Sequence, residues 1–452
     1  MLAMQEIGKH LRSRAWLAAA TLCVPVAMIA PAQPLHAAAA PVVIQFWNPT
    51  NPGPGSVSGN AIKYLVDTFN KTHPGILVKA DYTPTDNNYV KYTTALTSGS
   101  PPDAIMTYDY YPMPIWAADH LIQPLDSYIA QYHFTLQQYF PNVYAGMRFN
   151  GQIYGLPQQI DEPLFAWNKT LFKAAGLDPN KPPTTTAELM ADAVKLTKVQ
   201  NGQITQLGIA PADSQSDPEW IYYFGGGLYK PSTRSLTANL PANIQAYTWL
   251  KQLYDKLGGF EKVNAWYQTA SKANDPFLLG TQAMELMGEY QPSYIPLQAP
   301  KLQYGVAPVP TGPGVPYGSV TVAPAGNFFV LPKGASHPKE ALEFLTWMAS
   351  PFAVNYWCTV EGNLPPSASD AFGAAFWNAA PKLRPWITEL KQARTIAAVP
   401  AISTFNFLYN TLTTINQEIL SGNVSPTQGL NQLQTQVTQN EQQFTATHPG
   451  WQ

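Results

Sequence analysis

Charge is scarce in this 452-residue sequence: Asp, Glu, Lys and Arg together make up 12% of it, and the formal net charge is -2. A chain so nearly neutral has no electrostatic footprint for nucleic acid or for an acidic membrane surface. Cysteine is scarcer still, with only Cys23 and Cys358, and Cys23 falls inside an N-terminal stretch that reads as a removable leader. Cys358 is then alone, no intramolecular disulfide forms, and stability has to come from core burial. The histidines beyond the leader, His73, His120, His133, His337 and His448, lack metal-ligand spacing, so neither a metal nor a cofactor is expected. There is no Gly-x-Ser-x-Gly elbow, and the glycine clusters at 225–227 and 312–318 lack the preceding strand and following helix of a nucleotide-binding loop. Past the leader no apolar run reaches the ~20 residues that span a bilayer.

Aromatic residues, by contrast, are plentiful at 12%. Such flat faces suit a neutral ligand, and they equally serve to fill a large core. Lys9, Arg12 and Arg14 precede an apolar run at 15–30 and small residues at 37–40, the form of a secretory signal over residues 1–40. Acylation of Cys23 is disfavoured because Leu22 stands where lipoprotein processing wants a small residue. The expectation is a soluble chain exported to a periplasm or cell surface. After the leader, 42–47 is a near-continuous apolar strand of the buried parallel kind. Ile62, Leu65, Val66 and Phe69 follow at helical spacing, His73-Pro74-Gly75 is a stop, and Ile76, Val78 and Ala80 alternate as a strand. A second helix carries Tyr89, Thr93 and Leu96 and leads to a strand ending at Met106, so the first part of the chain is α/β with parallel strands. Helices are expected further on at 185–197, 244–257, 336–348, 405–420 and 426–444, with short strands at 284–287, 304–309 and 327–331.

The run YGLPQQIDEPLFAWNKTLFKAAGLDPNKPPTTTAE, from Tyr154 to Glu188, is the most telling segment. An extended apolar stretch enters Asn168-Lys169, Gly176 stops a short helix, Pro182 and Pro183 prevent its continuation, and Thr185 with Glu188 has capping-box spacing. This order resembles the crossover between lobes in extracellular solute-binding proteins of ABC importers, family 1, the maltose-binding-protein-like group. Three more segments match that pattern in order: FWNPT at Phe46, SGSPPDAIMTYDYY with IWAADHLIQPLDSYI around Asp109, and LPKGASHPKEALEFLTWMASPFAVNYWCTVEGNLPP from Leu331. The resemblance implies a two-lobed α/β periplasmic-binding-protein fold of type II. Each lobe is a mostly parallel sheet flanked by helices, with the ligand cleft between. It divides the chain into 41–160 plus 306–345 and 161–305 plus 346–452. The implied role is that of a non-enzymatic monomer that captures a sugar or oligosaccharide by hinge closure and delivers it to the permease subunits of an ABC importer. One departure is the pair Ala325-Gly326, where the family often has Gly-Gly; the added Cβ affects how closely backbone can approach a ligand there.

A ligand that drives closure must touch both lobes at once. At the strand ends of the first lobe the candidates are Trp47, Asn48, Tyr108, Asp109 and Tyr110. Asp161 and Glu162 interrupt the apolar run at the crossover. Similarity points to Trp220 in DPEWIYYFGGG, to Glu289 and Tyr290 in GEYQPSY, and to Asn327, Phe328 and Asn363. Aromatic faces cover the C–H surface of a pyranose, while carboxylates and amides take its hydroxyls. The competing reading makes each ring part of a core and each Asp a cap or turn brace. Four acids with no Arg or Lys rank a neutral sugar ahead of a polyamine. A secreted glycoside hydrolase, which needs two carboxylates across the scissile bond, is the distant alternative.

Overall fold

The computed structural model describes residues 40–83, 88–108, 112–131, 135–211, 219–230, 233, 235–272, 274–324, 326–398 and 402–451. The leader with Cys23 lies outside them, as do Asp109, Tyr110 and Ala325. Pro41–Gln452 is one contact unit, and within it the chain builds two five-stranded sheets.

The apolar run after the leader becomes Val42–Asn48, which pairs in parallel with Ile76–Tyr82 along its whole length and with Ala104–Thr107 at its far end. Between the first two strands runs the helix Val57–Thr72, capped by Ser56 and burying Ile62, Leu65, Val66 and Phe69, the residues whose spacing predicts it. The sheet continues with Phe328–Val330 and Leu156–Pro157. In the second sheet the order is Tyr304–Ala307, Pro163–Asn168, Gln282–Gly288, Gln203–Ile209, Lys198–Gln200.

Both sheets are mixed rather than mostly parallel. Phe328–Val330 runs antiparallel to its two neighbours, and in the second sheet only Gln282–Gly288 with Gln203–Ile209 is parallel. Parallel pairing needs a crossover connection, usually helical, inside one lobe. The strands next to the passages between sheets, Leu156–Pro157, Pro163–Asn168, Tyr304–Ala307 and Phe328–Val330, pair antiparallel, as does the hairpin of Lys198–Gln200 with Gln203–Ile209.

Two hydrophobic clusters follow this division except at the seam, where Leu164, Ala166 and Met287 of the second sheet join the first cluster. The first gathers Ile44, Phe46, Phe69, Met106, Phe329, Phe344 and Trp357, and the second Phe172, Leu207, Trp220, Tyr247, Leu250, Leu412 and Leu433. Two of the expected boundaries fall inside secondary-structure elements. A cut at 305/306 falls within the strand Tyr304–Ala307, which belongs wholly to the second sheet. A cut at 345/346 falls within the helix Pro338–Met348, whose buried stripe runs unbroken from Ala341 to Met348. The next helix, Pro351–Glu361, also packs on the first lobe's Val57–Thr72, with the Tyr64 and Tyr356 rings stacked at 4.3 Å. Trp386, Ile387 and Leu390 still belong to the first cluster, whereas Ala397 and Ile402 belong to the second.

Candidate ligand-binding site

The passages between the sheets lie side by side. Gln158 N donates to Asn327 O at 2.9 Å, Gly326 N to Gln159 O at 3.1 Å, Asp161 N to Pro324 O at 3.1 Å and Ile160 N to Leu364 O at 3.0 Å. Five residues singled out from the sequence meet here. Glu289 accepts from the backbone N–H of Glu162 at 2.9 Å and from Asn363 Nδ2 at 2.7 Å. Glu162 Oε1 accepts from the Thr321 hydroxyl at 2.6 Å. Gln159 donates to Asp161 at 2.6 Å, and its carbonyl accepts from Asn327 and from the Trp357 indole.

Only Asp161 among the five is half-buried; Glu162 and Glu289 have no exposed surface, and Asn327 and Asn363 are each 2% exposed. Those four are enclosed by the crossing chain, although Glu162 Oε2 and Asn363 Oδ1 find no hydrogen-bond partner there. Burial pushes the Glu289 carboxyl well above the usual range, and the adjacent Asp161 pushes it further. Burial does the same to Glu162, aided by Glu389 and opposed by the Thr321 hydroxyl. Asp161 is raised by burial too, against hydrogen bonds from Gln159 and Glu289.

Gly326 lies close against Gln159 and Asp161. A Cβ there would lie 2.7 Å from Gln159 Cγ and 2.8 Å from a carboxylate oxygen of Asp161. Backbone therefore comes close at the second position of the pair Ala325-Gly326.

Around the crossing stands a more open ring of side chains. Trp47 is half-buried at a strand end, with Lys91 Nζ 4.1 Å from its ring centroid and Tyr92 packed at 6.2 Å. Tyr108 follows Ala104–Thr107, and its hydroxyl is pushed above the usual range by burial, then by Glu361 and Tyr294. Tyr290 is 41% exposed, and its ring crosses Gly288 at 2.6 Å from where a Cβ would stand. It borders a cavity of about 260 Å³ with Asp275, Leu278, Gln291, Tyr294 and Gln298.

Three candidates are enclosed by protein. Trp220 is fully buried, donates its indole N–H to Pro211 O at 2.7 Å and packs against Trp249 at 4.8 Å, so it is a core residue of the second lobe. Phe328 has no exposed surface in the first core. Asn48 is a turn brace: its Oδ1 accepts from Thr50 N and Oγ1, and its Nδ2 donates to Asp81 O.

Sequence reasoning missed Gln159, Ser58, Tyr294 and Glu361. Tyr294 Oη donates to Glu361 Oε1 at 2.9 Å, and Ser58 lies beside both the Tyr108 and Tyr294 hydroxyls. Ser293 bonds the Glu361 carbonyl and receives Lys382 Nζ at 2.6 Å. Glu361 is pushed up to about 7, by burial first, with Tyr294 and Lys382 pulling the other way. The signal for Tyr294 was its place one helical turn beyond Tyr290 in GEYQPSY.

Known proteins share this fold. A family model described as bacterial extracellular solute-binding protein matches residues 53–354. The chain belongs to that family. This solute-binding protein is thus the non-enzymatic binding component of an ABC importer, and its family implies export and a membrane permease as partner. Among the described residues no helix is long and apolar enough to cross a membrane. CpMnBP1 with mannotriose bound is 31% identical, over 87% of this chain and 99% of its own, with a TM-score of 0.76. The maltose/maltodextrin-binding domain of Bdellovibrio bacteriovorus, bound to maltotriose, covers 89% of this chain and 100% of its own at 18% identity and a TM-score of 0.70, a likeness of fold. An uncharacterised ABC transporter extracellular-binding protein of Pyrococcus horikoshii is 25% identical over 318 residues, 68% of each chain.

Proposed function

We propose that this solute-binding protein captures a neutral oligosaccharide between its lobes and releases it unaltered to its permease. The observation that carries this reading is the likeness to CpMnBP1, which holds mannotriose and aligns with this chain over nearly all of its own length. The side chains at the cleft suit such a ligand. Trp47, Tyr108 and Tyr290 offer ring faces for a pyranose, and Asp161 offers an acceptor for its hydroxyls. A dication is less well served, because Glu162 and Glu289 are buried within the crossing and Lys91 and Lys382 stand beside the open ring.

The lobes in this reading are 41–160 with 328–390 and 161–324 with 395–451, and closure turns on the crossing strands. A thermal-shift screen tests the ligand class, using mannobiose, mannotriose, maltotriose, spermidine and a dicarboxylate. A true ligand at 100 times its dissociation constant adds about 2.7 kcal/mol, a shift of roughly 2–4 °C or more in a chain of this size. Stabilisation by spermidine with no response to any sugar would replace this reading by the polyamine one.

A further inference from the structure

A cavity of about 1010 Å³ opens among residues that take no part in the crossover network. One side is the helix Pro141–Gly146 and the hairpin after it, contributing Tyr144, Arg148 and Phe149. The other comprises Tyr229, the segment 402–404 ahead of the helix Phe405–Leu420, and the end of the last helix, Pro426–Thr447, with Trp451 beyond it. Its walls draw on both hydrophobic clusters, through Phe149 and Ile402. Five rings line it, from Tyr144, Phe149, Tyr229, Phe444 and Trp451.

Two charges reach this cavity, and they are unequal. Arg148 is engaged: one nitrogen donates to Tyr144 Oη at 3.0 Å, another to Gly151 O at 2.8 Å, and the guanidinium lies 5.3 Å from the Tyr144 ring centroid. The half-buried Glu441 carboxylate has no hydrogen bond or ion pair among the described residues, and burial alone pushes its pKa up. A second unmet group is the Thr404 hydroxyl, on a residue only 6% exposed, which finds no hydrogen-bond partner. A carboxylate partly withdrawn from water with no counter-charge bonded to it is unfavourable, and so is a buried hydroxyl left unbonded. One kind of ligand relieves both.

We infer that this cavity is a second ligand site that takes an organic cation, its ammonium group held by Glu441 and the surrounding ring faces, with Thr404 as a further acceptor. Aromatic faces attract cations most strongly where water is excluded. An anion finds no such welcome, since it meets the Glu441 carboxylate and an arginine already bonded. The volume stands at the upper end of the range for small-molecule sites, so the body of the ligand is larger than a simple amine.

Calorimetric titration with benzylamine and with benzyl alcohol, its uncharged counterpart, tests this on the wild-type protein, Glu441→Gln and Thr404→Val. Saturable benzylamine binding is expected in the wild type, weakened about tenfold or more by loss of charge on either side, in benzyl alcohol or in Glu441→Gln. Thr404→Val should weaken it by a smaller factor, and apo melting temperatures of both variants should stay within about a degree of wild type, which keeps the comparison free of misfolding. Equal affinity for the amine and the alcohol, undiminished binding by Glu441→Gln, or no saturable benzylamine binding to the wild type would overturn the inference.

Discussion

Two aromatic residues, Trp220 and Tyr290, look alike from the sequence and stand in opposite surroundings in the structure. Trp220 is enclosed by Trp249, Tyr223 and the Pro211 carbonyl, whereas Tyr290 stands 41% exposed at the end of a strand. Trp220→Ala should therefore cost about 3–5 kcal/mol of stability, seen as a drop of several degrees in apo melting temperature. Tyr290→Ala should leave the apo melting temperature near wild type and abolish most of the ligand-induced shift. Residue identity announced an aromatic in both places, but burial was set by partners that no local pattern reveals. The crossover acids were legible as interruptions of an apolar run, although their use was not: Glu162 and Glu289 bond to chain rather than to solvent. Tyr294, Ser58 and Glu361 went unseen because each becomes relevant only when segments distant in sequence come together.

Elements were the most readable level, because their signals are local. The capping box at Thr185 and Glu188 is present in full, and the helix Thr186–Leu196 follows it. Thr185→Ala should cost about 1 kcal/mol, measurable by chemical denaturation. The helices Phe405–Leu420 and Pro426–Thr447 likewise match the spacing of their apolar residues. Strand direction was harder to read, since an apolar run gives no sign of whether its neighbour came from the same lobe or across the hinge. The passage containing Gly326 is sensitive in a way its composition only hints at. Gly326→Ala brings a methyl into Gln159 and the Asp161 carboxylate, and should destabilise the protein by about 1–3 kcal/mol. A double-mutant cycle with Asp161→Ala checks the mechanism, because removing the carboxylate should recover much of that loss.

Two further buried acids give the molecule as a whole a definite response to pH. Glu361 and Glu389 are both pushed up to about 7, chiefly by burial, from an ordinary value of 4.5. A group that holds its proton more tightly when folded stabilises the fold fully below its unfolded value, and that contribution is lost as pH rises through the folded value. Melting temperature should thus decline between about pH 5 and about pH 8, and Glu361→Gln should flatten the slope. A rise over that interval would mean these carboxyls are ionised throughout. The central claim is that two lobes close on a sugar held at their crossing. Its most direct test is small-angle scattering of the protein alone and saturated with the best-stabilising sugar, with occupancy verified by calorimetry. The account predicts a smaller radius of gyration in the bound state; superimposable profiles at full occupancy would contradict it.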